Sequence, residues 1–348
     1  MKIAAHSPVA PDELHPARRK SRIAFWLKRI ALWLMIGIIT LAAVGAVYQT
    51  IATAMDRRAL PAPGQRIDVG GYSLHLYCTG QNMGGRPTVI LETGLGATSS
   101  SWGWIQPEIA KTTRVCAYDR AGMGWSDPSP APRDAQNIAT DLHTLLQNAQ
   151  IPGPYVLAGW SYGGMYIRQY AAQYPDEVVG MVLLDSSSPE QCISTPDTQA
   201  QCDTMAITFT LAPILTRFGV LRLMGLSMPA SGLPSPQNEE RLASFSATKD
   251  WVTQSAEFFA SPSTRGQGLN SESRGDIPLF VLSATGHDFE ELWQGWQAGF
   301  TSLSTNSVQQ VLPDATHGSI LYDATHAKVS VESILKVVEA ARTGTALK

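Results

Sequence analysis

The sequence predicts an α/β domain with a mostly parallel sheet, preceded by one membrane-spanning helix. Strand-like and helix-like runs alternate after residue 66, an uncharged apolar run lies near the N-terminus, and the first 58 residues differ in charge from the rest. A hydrophobic fraction of 44% in 348 residues is enough for a large core and excludes a wholly disordered chain. The formal net charge of −3 argues against a protein that binds nucleic acid.

The near-neutral net charge is the sum of two unlike segments. Residues 1–58 contain nine Lys and Arg but three Asp and Glu, a net charge of +6, whereas residues 59–348 carry −9. Residues 31–48 form an 18-residue run without a charged side chain, which at 1.5 Å per residue approaches the roughly 30 Å core of a bilayer. We therefore predict a basic cytoplasmic tail over residues 1–29 and a transmembrane helix over residues 30–50 that contacts the lipid bilayer.

The basic residues also predict how the chain crosses the membrane. Six of them lie between residues 18 and 29, before the apolar run, and two follow it at residues 57 and 58. By the positive-inside rule, the N-terminus is expected to be cytoplasmic and the rest exported, periplasmic or extracellular. The alternative is a secreted product of signal cleavage, because Val44-Gly45-Ala46 has the small residues of a cleavage site. A buried helix of a soluble protein would leave the basic cluster unexplained.

After a linker over residues 51–65, strands and helices alternate through a domain predicted over residues 66–342. Gly70-Gly71 joins the first two strands as a hairpin, later strands are short apolar runs, and apolar residues at helical spacing mark the helices. This alternation is typical of a mostly parallel sheet with helices on both faces. We predict strands at 67–69, 73–78, 88–92, 114–118, 155–158, 178–184, 278–283 and 308–312, helices at 102–111, 134–149, 162–173 and 329–341, and a C-terminal tail at 343–348.

Residues 187–276 interrupt the alternation. They contain helix-like runs over 211–226 and 239–259, separated by a turn rich in Pro, Gly and Ser. Because 90 residues between two strands are too many for a plain loop, we predict a helical cap over one end of the sheet. Its apolar residues either line a substrate pocket or pack on the sheet: Leu211, Ile214, Phe218, Leu221, Leu223, Met224 and Met228.

The four cysteines fit an exported domain. Cys192 and Cys202 lie ten residues apart in a polar stretch, where a local disulfide is the better interpretation in an oxidising compartment. Cys78 and Cys116 lie in two strand-like runs and are either buried thiols or a cross-strand bridge. No pair has the spacing of a zinc site, so we predict neither a metal nor another cofactor.

The run Gly159-Trp160-Ser161-Tyr162-Gly163 matches the nucleophile-elbow pattern G-x-S-x-G. The pattern alone is weak because Gly and Ser are common, but here a strand-like run leads into it and a helix-like run follows. The elbow is a strained turn, in which glycines on both sides of the serine remove clashes. We therefore predict that Ser161 is a nucleophile.

A serine hydroxyl needs a base, which an acid in turn orients, and in this architecture the chain order is Ser, acid, His. Three histidines follow Ser161: His287, His317 and His326. His317 comes within a few residues of the strand predicted at 308–312, at the end of the sheet where catalytic groups gather. We predict His317 as the base. His326, at the start of the last helix, and His287 are the alternatives.

The acid is expected to follow the strand predicted at 278–283. Asp288 is the first carboxylate beyond that strand, whereas Glu290 and Glu291 fit the first turn of a helix. Asp185, which ends the strand after the elbow, is the alternative. We predict Asp288 as the acid.

Two backbone amides complete the predicted site. Backbone N–H groups stabilise the oxyanion of a tetrahedral intermediate, and the expected donors are the residue after the nucleophile and one in the loop after the third strand. We predict Tyr162 for the first donor and Leu95, in the loop over residues 93–96, for the second.

Residues 64–342 resemble the α/β-hydrolase superfamily, in its branch with a helical cap. The resemblance implies an eight-stranded sheet in which the second and fourth strands are neighbours, which would place Cys78 beside Cys116. Thr93-Gly94 stands where the family usually has His-Gly, and the acid loop over residues 284–288 matches loosely. The matching segments are Leu91-Glu92-Thr93-Gly94-Leu95-Gly96, Tyr118-Asp119-Arg120-Ala121-Gly122-Met123-Gly124-Trp125-Ser126, the elbow, and Pro175-Asp176-Glu177-Val178-Val179-Gly180-Met181-Val182-Leu183-Leu184-Asp185.

Within this superfamily, serine at the elbow excludes the epoxide hydrolases and haloalkane dehalogenases, which form an alkyl-enzyme through an aspartate. We expect a carboxylic-ester hydrolase that acts on a small-molecule ester through an acyl-enzyme, with Ser161, Asp288 and His317 as the triad. The alternatives are an amidase or aminopeptidase, a carbon–carbon bond hydrolase and a cofactor-free haloperoxidase-like enzyme. A non-catalytic ligand-binding receptor on the same fold is the alternative from another class.

Overall fold

The protein contains an eight-stranded sheet that follows a long N-terminal helix. The computed structural model describes residues 16–81, 85–225, 231–269 and 274–347, without the side chains of residues 16–23, 268 and 269. The strands are β1 (Gln65–Asp68), β2 (Ser73–Thr79), β3 (Thr88–Glu92), β4 (Val115–Tyr118), β5 (Tyr155–Trp160), β6 (Val178–Leu184), β7 (Leu279–Ala284) and β8 (Ser307–Leu312).

The helices predicted at 134–149, 162–173 and 329–341 are present with differences at their ends, whereas the runs predicted at 211–226 and 239–259 are each divided between two helices. The helices are α1 (Pro16–Ala59), α2 (Gln106–Ile109), α3 (Ala135–Asn148), α4 (Tyr162–Gln173), α5 (Pro196–Arg217), α6 (Val220–Gly225), α7 (Gln237–Phe245), α8 (Thr248–Phe259), α9 (Ser261–Leu269), α10 (Glu290–Phe300), α11 (Ser319–Tyr322) and α12 (Ala324–Thr343). Short 3-10 helices span Ser99–Trp102, Pro175–Glu177 and Thr301–Leu303.

The strand order is β1-β2-β4-β3-β5-β6-β7-β8. The first two strands form an antiparallel hairpin through Gly70 and Gly71, β2 also pairs antiparallel with β4, and all later neighbours are parallel. This confirms the mostly parallel eight-stranded sheet and the adjacency of the second and fourth strands. Because parallel strands point the same way, the loops after β3, β5, β6, β7 and β8 meet at one edge of the sheet.

Both faces of the sheet are buried, as expected for parallel strands. Neighbouring residues of a strand point to opposite faces, so Val89 and Leu91 join one apolar cluster and Ile90 joins the other. The first cluster packs against α12, and the second packs against α3 and α4.

The helix predicted at 102–111 is shorter than expected. The structure has a 3-10 helix over Ser99–Trp102 and then a single turn, α2. Trp102, Ile105 and Ile109 are all fully buried, so their spacing of three and four residues identifies an inward face without requiring a continuous α-helix.

Helix α1 is longer than the predicted transmembrane segment. Its part Ala24–Ala59 is long and apolar enough to cross a membrane, judged by length and composition. Residues 51–59, predicted as linker, continue the helix, since they contain neither Gly nor Pro; it stops two residues before Pro61.

Two disulfides cross-link the domain. Cys192 pairs with Cys202, as the sequence predicts, and tethers the segment before α5 to that helix. Cys78 pairs with Cys116, on the adjacent strands β2 and β4, as the resemblance implied. Both cysteines of the second pair therefore belong to the sheet itself.

The turn from β5 into α4 needs glycine because backbone segments meet there. A Cβ on Gly159 would lie 2.5 Å from the carbonyl oxygen of Gly163, and a Cβ on Gly163 would lie 2.4 Å from the carbonyl oxygen of Glu92. The contacting atoms are backbone, which cannot rotate away as a side chain could.

We expect Gly159→Ala to lower the free energy of unfolding by about 2 kcal/mol, because the new methyl group forces these backbones apart. Gly295→Ala is the matched control, since Gly295 lies exposed within α10 with open space around it. That substitution should be neutral or stabilising by up to about 1 kcal/mol. Thermal and denaturant unfolding of the two variants check this, and equal stabilities would contradict the close-contact argument.

Candidate active site

Ser161 lies in the turn between β5 and α4, where the nucleophile is predicted. Its φ of 57° and ψ of −126° place a non-glycine residue in a strained backbone conformation. Its amide donates to the carbonyl of Leu184, and its own carbonyl accepts from the amides of Gly164 and Ser187. The end of β6 and the first turn of α4 therefore hold the strained residue in place.

His317 follows β8 and reaches the same edge of the sheet. Its Nδ1 lies 2.6 Å from Oδ2 of Asp185. Its ring stacks on the indole of Trp160, with 4.9 Å between ring centroids, and the Trp160 indole N–H donates to the His317 carbonyl at 3.0 Å. Two neighbours therefore fix the imidazole: a carboxylate at Nδ1 and an aromatic ring on its face.

Asp185 is fully buried and surrounded by donors. Its Oδ1 accepts from the amide of Ala284 at 2.9 Å and from the indole of Trp293 at 2.8 Å. Burial acts to raise the pKa of Asp185, but the hydrogen bonds and charges of His287 and His317 outweigh it, so the pKa lies well below its usual range. The carboxylate is thus ionised at neutral pH, as the orienting acid of a triad must be.

The prediction that Asp288 contacts the base is wrong in this geometry. Asp288 is exposed and accepts a hydrogen bond from Gln201 of α5 at 3.1 Å, whereas Asp185 contacts His317. Both aspartates follow parallel strands at the same sheet edge, β6 and β7. Asp185 comes directly after its strand and stays buried, while Asp288 lies four residues beyond β7 and turns outward toward the cap.

The two alternative histidines have different positions. Nε2 of His287 lies 3.0 Å from the same Asp185 oxygen that contacts His317, and the His287 ring stacks on Trp293 with centroids 4.1 Å apart. His326 instead contacts the Ser319 hydroxyl at 2.9 Å, beside the N-terminus of α12. His287 is thus part of the site, and its ligand atoms with those of Asp185 and His317 lie within 4.8 Å of one another, close enough to hold a metal ion.

The two predicted oxyanion donors flank Ser161. Tyr162 is the first residue of α4, so its amide N–H is one of those without an intrahelical acceptor. Leu95 lies in the loop after β3, and Gly94 beside it is so close that a Cβ there would be 2.8 Å from Cβ of Ser161. Leu95, Ser161, Tyr162 and His317 line one cavity.

That cavity has a volume of about 430 Å³, which is in the usual range for a small-molecule site. Its apolar walls include Met205 and Phe209 of α5, while Gln191 and Gln201 add polar groups. The apolar cap residues that the sequence offered as a pocket lining do not line this cavity where the structure describes them. Leu221 is buried within the cap, and Met228 lies outside the described residues. The other five are exposed: Leu211, Ile214, Phe218, Leu223 and Met224.

A buried arginine joins this loop to the cap. The guanidinium of Arg120 donates to the carbonyls of Thr93 and Gly94 at 2.8 Å each, and it pairs with Glu92 at 2.7 Å and Glu257 of α8 at 2.8 Å. All three charged side chains are essentially inaccessible to solvent. Arg120 thus orients the loop that carries Leu95 and ties the cap to the sheet.

Known structures share this architecture at low sequence identity. An epoxide hydrolase, CorEH, matches with a TM-score of 0.62 and 16% identity over 79% of this chain and 98% of its own. An esterase from Thermogutta terrifontis matches with a TM-score of 0.59 and 20% identity over 79% of this chain and 98% of its own. The sequence model of the family described as alpha/beta hydrolase fold matches residues 87–205, which include Ser161 and Asp185. The chain has the α/β-hydrolase fold.

This chain matches only part of the length of its curated relatives. An uncharacterized protein of Schizosaccharomyces pombe is 27% identical over 299 residues, which are 76% of this chain and 54% of the relative. The chain spans about half, or less, of the length of the first curated relatives it matches.

The side chains that hold the candidate site together have no local signal in the sequence. Trp160 was visible as the variable residue of the elbow, but nothing near it in sequence shows that it stacks on His317. Arg120 belongs to a run that carried the family resemblance, yet its partner Glu257 is 137 residues away. Trp293 supports Asp185 from α10, again over more than a hundred residues.

We expect Asp185→Asn to lower kcat for ester hydrolysis by roughly 10³- to 10⁴-fold, because the amide no longer favours the correct tautomer and charge of His317. Asp288→Asn is the matched control, since its carboxylate contacts Gln201, and it should change kcat less than about fivefold. Steady-state kinetics of both variants make the comparison. A larger loss in Asp288→Asn would return the acid role to Asp288.

We also expect Glu257→Gln to lower the free energy of unfolding by about 3 kcal/mol, because the buried Arg120 loses one of its two carboxylates. Glu108→Gln is the control: its ion pair with Lys111 is exposed, so the change should stay within about 0.5 kcal/mol. Denaturant unfolding measures both effects, and limited proteolysis should show earlier cleavage in the cap of the first variant. Equal unfolding midpoints would remove the structural role assigned to the Arg120 cluster.

Proposed function

We propose that the protein is a serine hydrolase that cleaves carboxylic esters through an acyl-enzyme on Ser161. The observation that carries the proposal is the pairing of His317 with the ionised, fully buried Asp185 in the cavity that also contains Ser161. A serine in a strained turn, with an oriented base lining the same cavity, supports nucleophilic acyl transfer.

In the proposed mechanism, the Ser161 hydroxyl attacks the ester carbonyl carbon and its proton passes to Nε2 of His317. The amides of Leu95 and Tyr162 donate to the oxyanion, an effect worth about 2.7–4 kcal/mol for each donor. The intermediate collapses as the C–O bond to the alcohol breaks, and the alcohol leaves with the proton from His317. Water then attacks the acyl-enzyme, His317 accepts its proton and returns it to Ser161, and the carboxylic acid leaves.

Asp185 and Trp160 act through the base in this mechanism. The carboxylate holds the proton on Nδ1, so Nε2 is the free acceptor, and it stabilises the imidazolium that forms when Ser161 loses its proton. The indole of Trp160 limits rotation of the ring. Each is therefore a positioning residue for His317.

One carboxylate, that of Asp288, lines the Ser161 cavity, so the acidic residues there do not by themselves favour an ester over an amine-bearing substrate. The cap also contains an adjacent acidic pair, Glu239-Glu240, which has the charge to bind a substrate amine, but neither residue lines the Ser161 cavity. Glu240 borders a separate cavity and is 8% exposed, and this burial raises its pKa to about 7, so it is only partly ionised at neutral pH.

We further propose that α1 anchors the protein in a membrane, with the N-terminus cytoplasmic and the hydrolase domain exported. The basic residues before the apolar run and the two disulfides favour this orientation. Retention of the anchor is favoured over signal cleavage because Gly45, at the possible cleavage site, packs directly on Phe218 of the folded domain.

We expect a fluorophosphonate probe to label the full-length protein, and Ser161→Ala to abolish the labelling, since the probe reacts with an activated serine. Ser187→Ala is the matched control because Ser187 lines the same cavity, and it should retain the label. Chromogenic esters of rising acyl length, with amide analogues, then separate an esterase from an amidase. Equal labelling of Ser161→Ala and the unaltered protein would reject the serine-hydrolase proposal.

A further inference from the structure

Helix α5 has two apolar stripes on opposite faces. Met205 and Phe209 point inward and line the Ser161 cavity. Ile207 lies two residues after Met205, and Leu211 lies two residues after Phe209, which is about 200° around the helix in each case. Ile207 is 61% exposed and Leu211 is 47% exposed. Between Thr204 and Thr216 the helix has no charged side chain. One helix thus separates the catalytic cavity from an exposed apolar surface.

The exposed stripe continues toward the anchor. It runs from Ile207 and Leu211 through Ile214 to Phe218, where α5 ends, with the spacing of one helix face. A Cβ on Gly45 of α1 would lie 2.4 Å from the carbonyl oxygen of Phe218, so the two backbones are in direct contact there.

The contact lies within the apolar part of α1. Gly45 and Tyr48 belong to the uncharged run over residues 31–48, and the ring of Tyr48 packs beside Gly219. Helix α6, which follows Gly219, exposes Leu223 and Met224, each with more than half of its surface accessible. The end of α5 and the start of α6 therefore lie at the same level as the last turn of the apolar run.

Polar contacts fix this arrangement immediately after the apolar run. The Gln49 side chain donates to the carbonyl of Ser246 at 2.6 Å. Arg222 of α6 donates to Gln49 at 3.0 Å and to Asp56 at 2.7 Å, and its side chain is largely buried. The cap therefore cannot move away from α1 without leaving buried polar groups unpaired, which costs about 1–3 kcal/mol for each group.

We propose that the outer faces of α5 and α6 insert into the outer leaflet of the bilayer beside α1, and that the enzyme takes esters dissolved in the membrane. The proposal rests on the anchor and the ester hydrolysis proposed above. A continuous exposed apolar surface of this kind marks a membrane or protein contact, and its direct continuity with the transmembrane run selects the bilayer.

Photo-cross-linking of the full-length protein in phospholipid vesicles tests the position of the cap. The photoreactive amino acid p-benzoylphenylalanine replaces, one at a time, Leu211 on the cap, Ile38 on α1, and Val311 on β8. Val311 is the matched control: it is 44% exposed, close to the 47% of Leu211, but β8 is at the opposite edge of the sheet from β1, which follows α1. We expect lipid adducts at positions 38 and 211 and none at position 311.

Each other outcome overturns a defined part of the proposal. Adducts at position 38 alone would support membrane anchoring by α1 and reject insertion of the cap. Adducts at neither 38 nor 211 reject both, and cross-linked protein dimers at position 211 instead of lipid adducts show that a second copy covers the surface. Cross-linking does not depend on activity. If the protein forms both adducts but does not hydrolyse esters, ester hydrolysis is therefore rejected while insertion of the cap is supported.

A kinetic comparison tests the source of the substrate. Ile214→Glu should lower kcat/KM for an ester embedded in vesicles about fivefold or more, because a charge replaces apolar surface at the bilayer. The same variant should keep its kcat/KM for a water-soluble short-chain ester, and Val311→Glu should change neither value. An equal loss on both substrates would show a structural effect on the site and reject the proposed route from the membrane.

Discussion

The buried guanidinium of Arg120 is the interaction on which the rest of this structure depends. Burial acts to lower its pKa, but Glu257 and Glu92 outweigh that effect and raise the pKa well above its usual value. An unpaired charge in this position would cost several kcal/mol, so the cation requires both carboxylates and the carbonyls of Thr93 and Gly94. One side chain thereby connects the end of β4, the loop that carries Leu95, and cap helix α8.

The order of the strands then determines which groups can act together. Ser161, Asp185 and His317 follow β5, β6 and β8, and parallel pairing brings these three strand ends to one edge of the sheet. Asp185 lies between the nucleophile strand and β7, with the amide of Ala284 and the indole of Trp293 as donors. A carboxylate satisfied in this way stays ionised and rigid, and it can hold a histidine in one orientation.

Helix α1 and the cap share a packed and hydrogen-bonded contact. Helix α1 meets α5 and α6 through small residues at the apolar level and through Gln49, Asp56 and Arg222 just beyond it. A flexible tether would leave the orientation of the sheet domain relative to α1 open, whereas this contact holds one defined face of the cap beside α1. The Ser161 cavity lies on the other side of α5 from that face.

Local patterns in the sequence were sufficient for the elements of the sheet, the elbow at Ser161, the histidine after β8 and the Cys192–Cys202 bridge. Each of these features is defined by residues that are close together in the sequence, so the spacing of residue types is enough to predict it. The tertiary structure placed Asp185 rather than Asp288 beside His317, stacked Trp160 on His317, brought His287 to Asp185, paired Arg120 with Glu257 and turned Leu211 outward. These outcomes depend on contacts between residues far apart in the chain, whose distances and burial arise only when the strands and the cap pack.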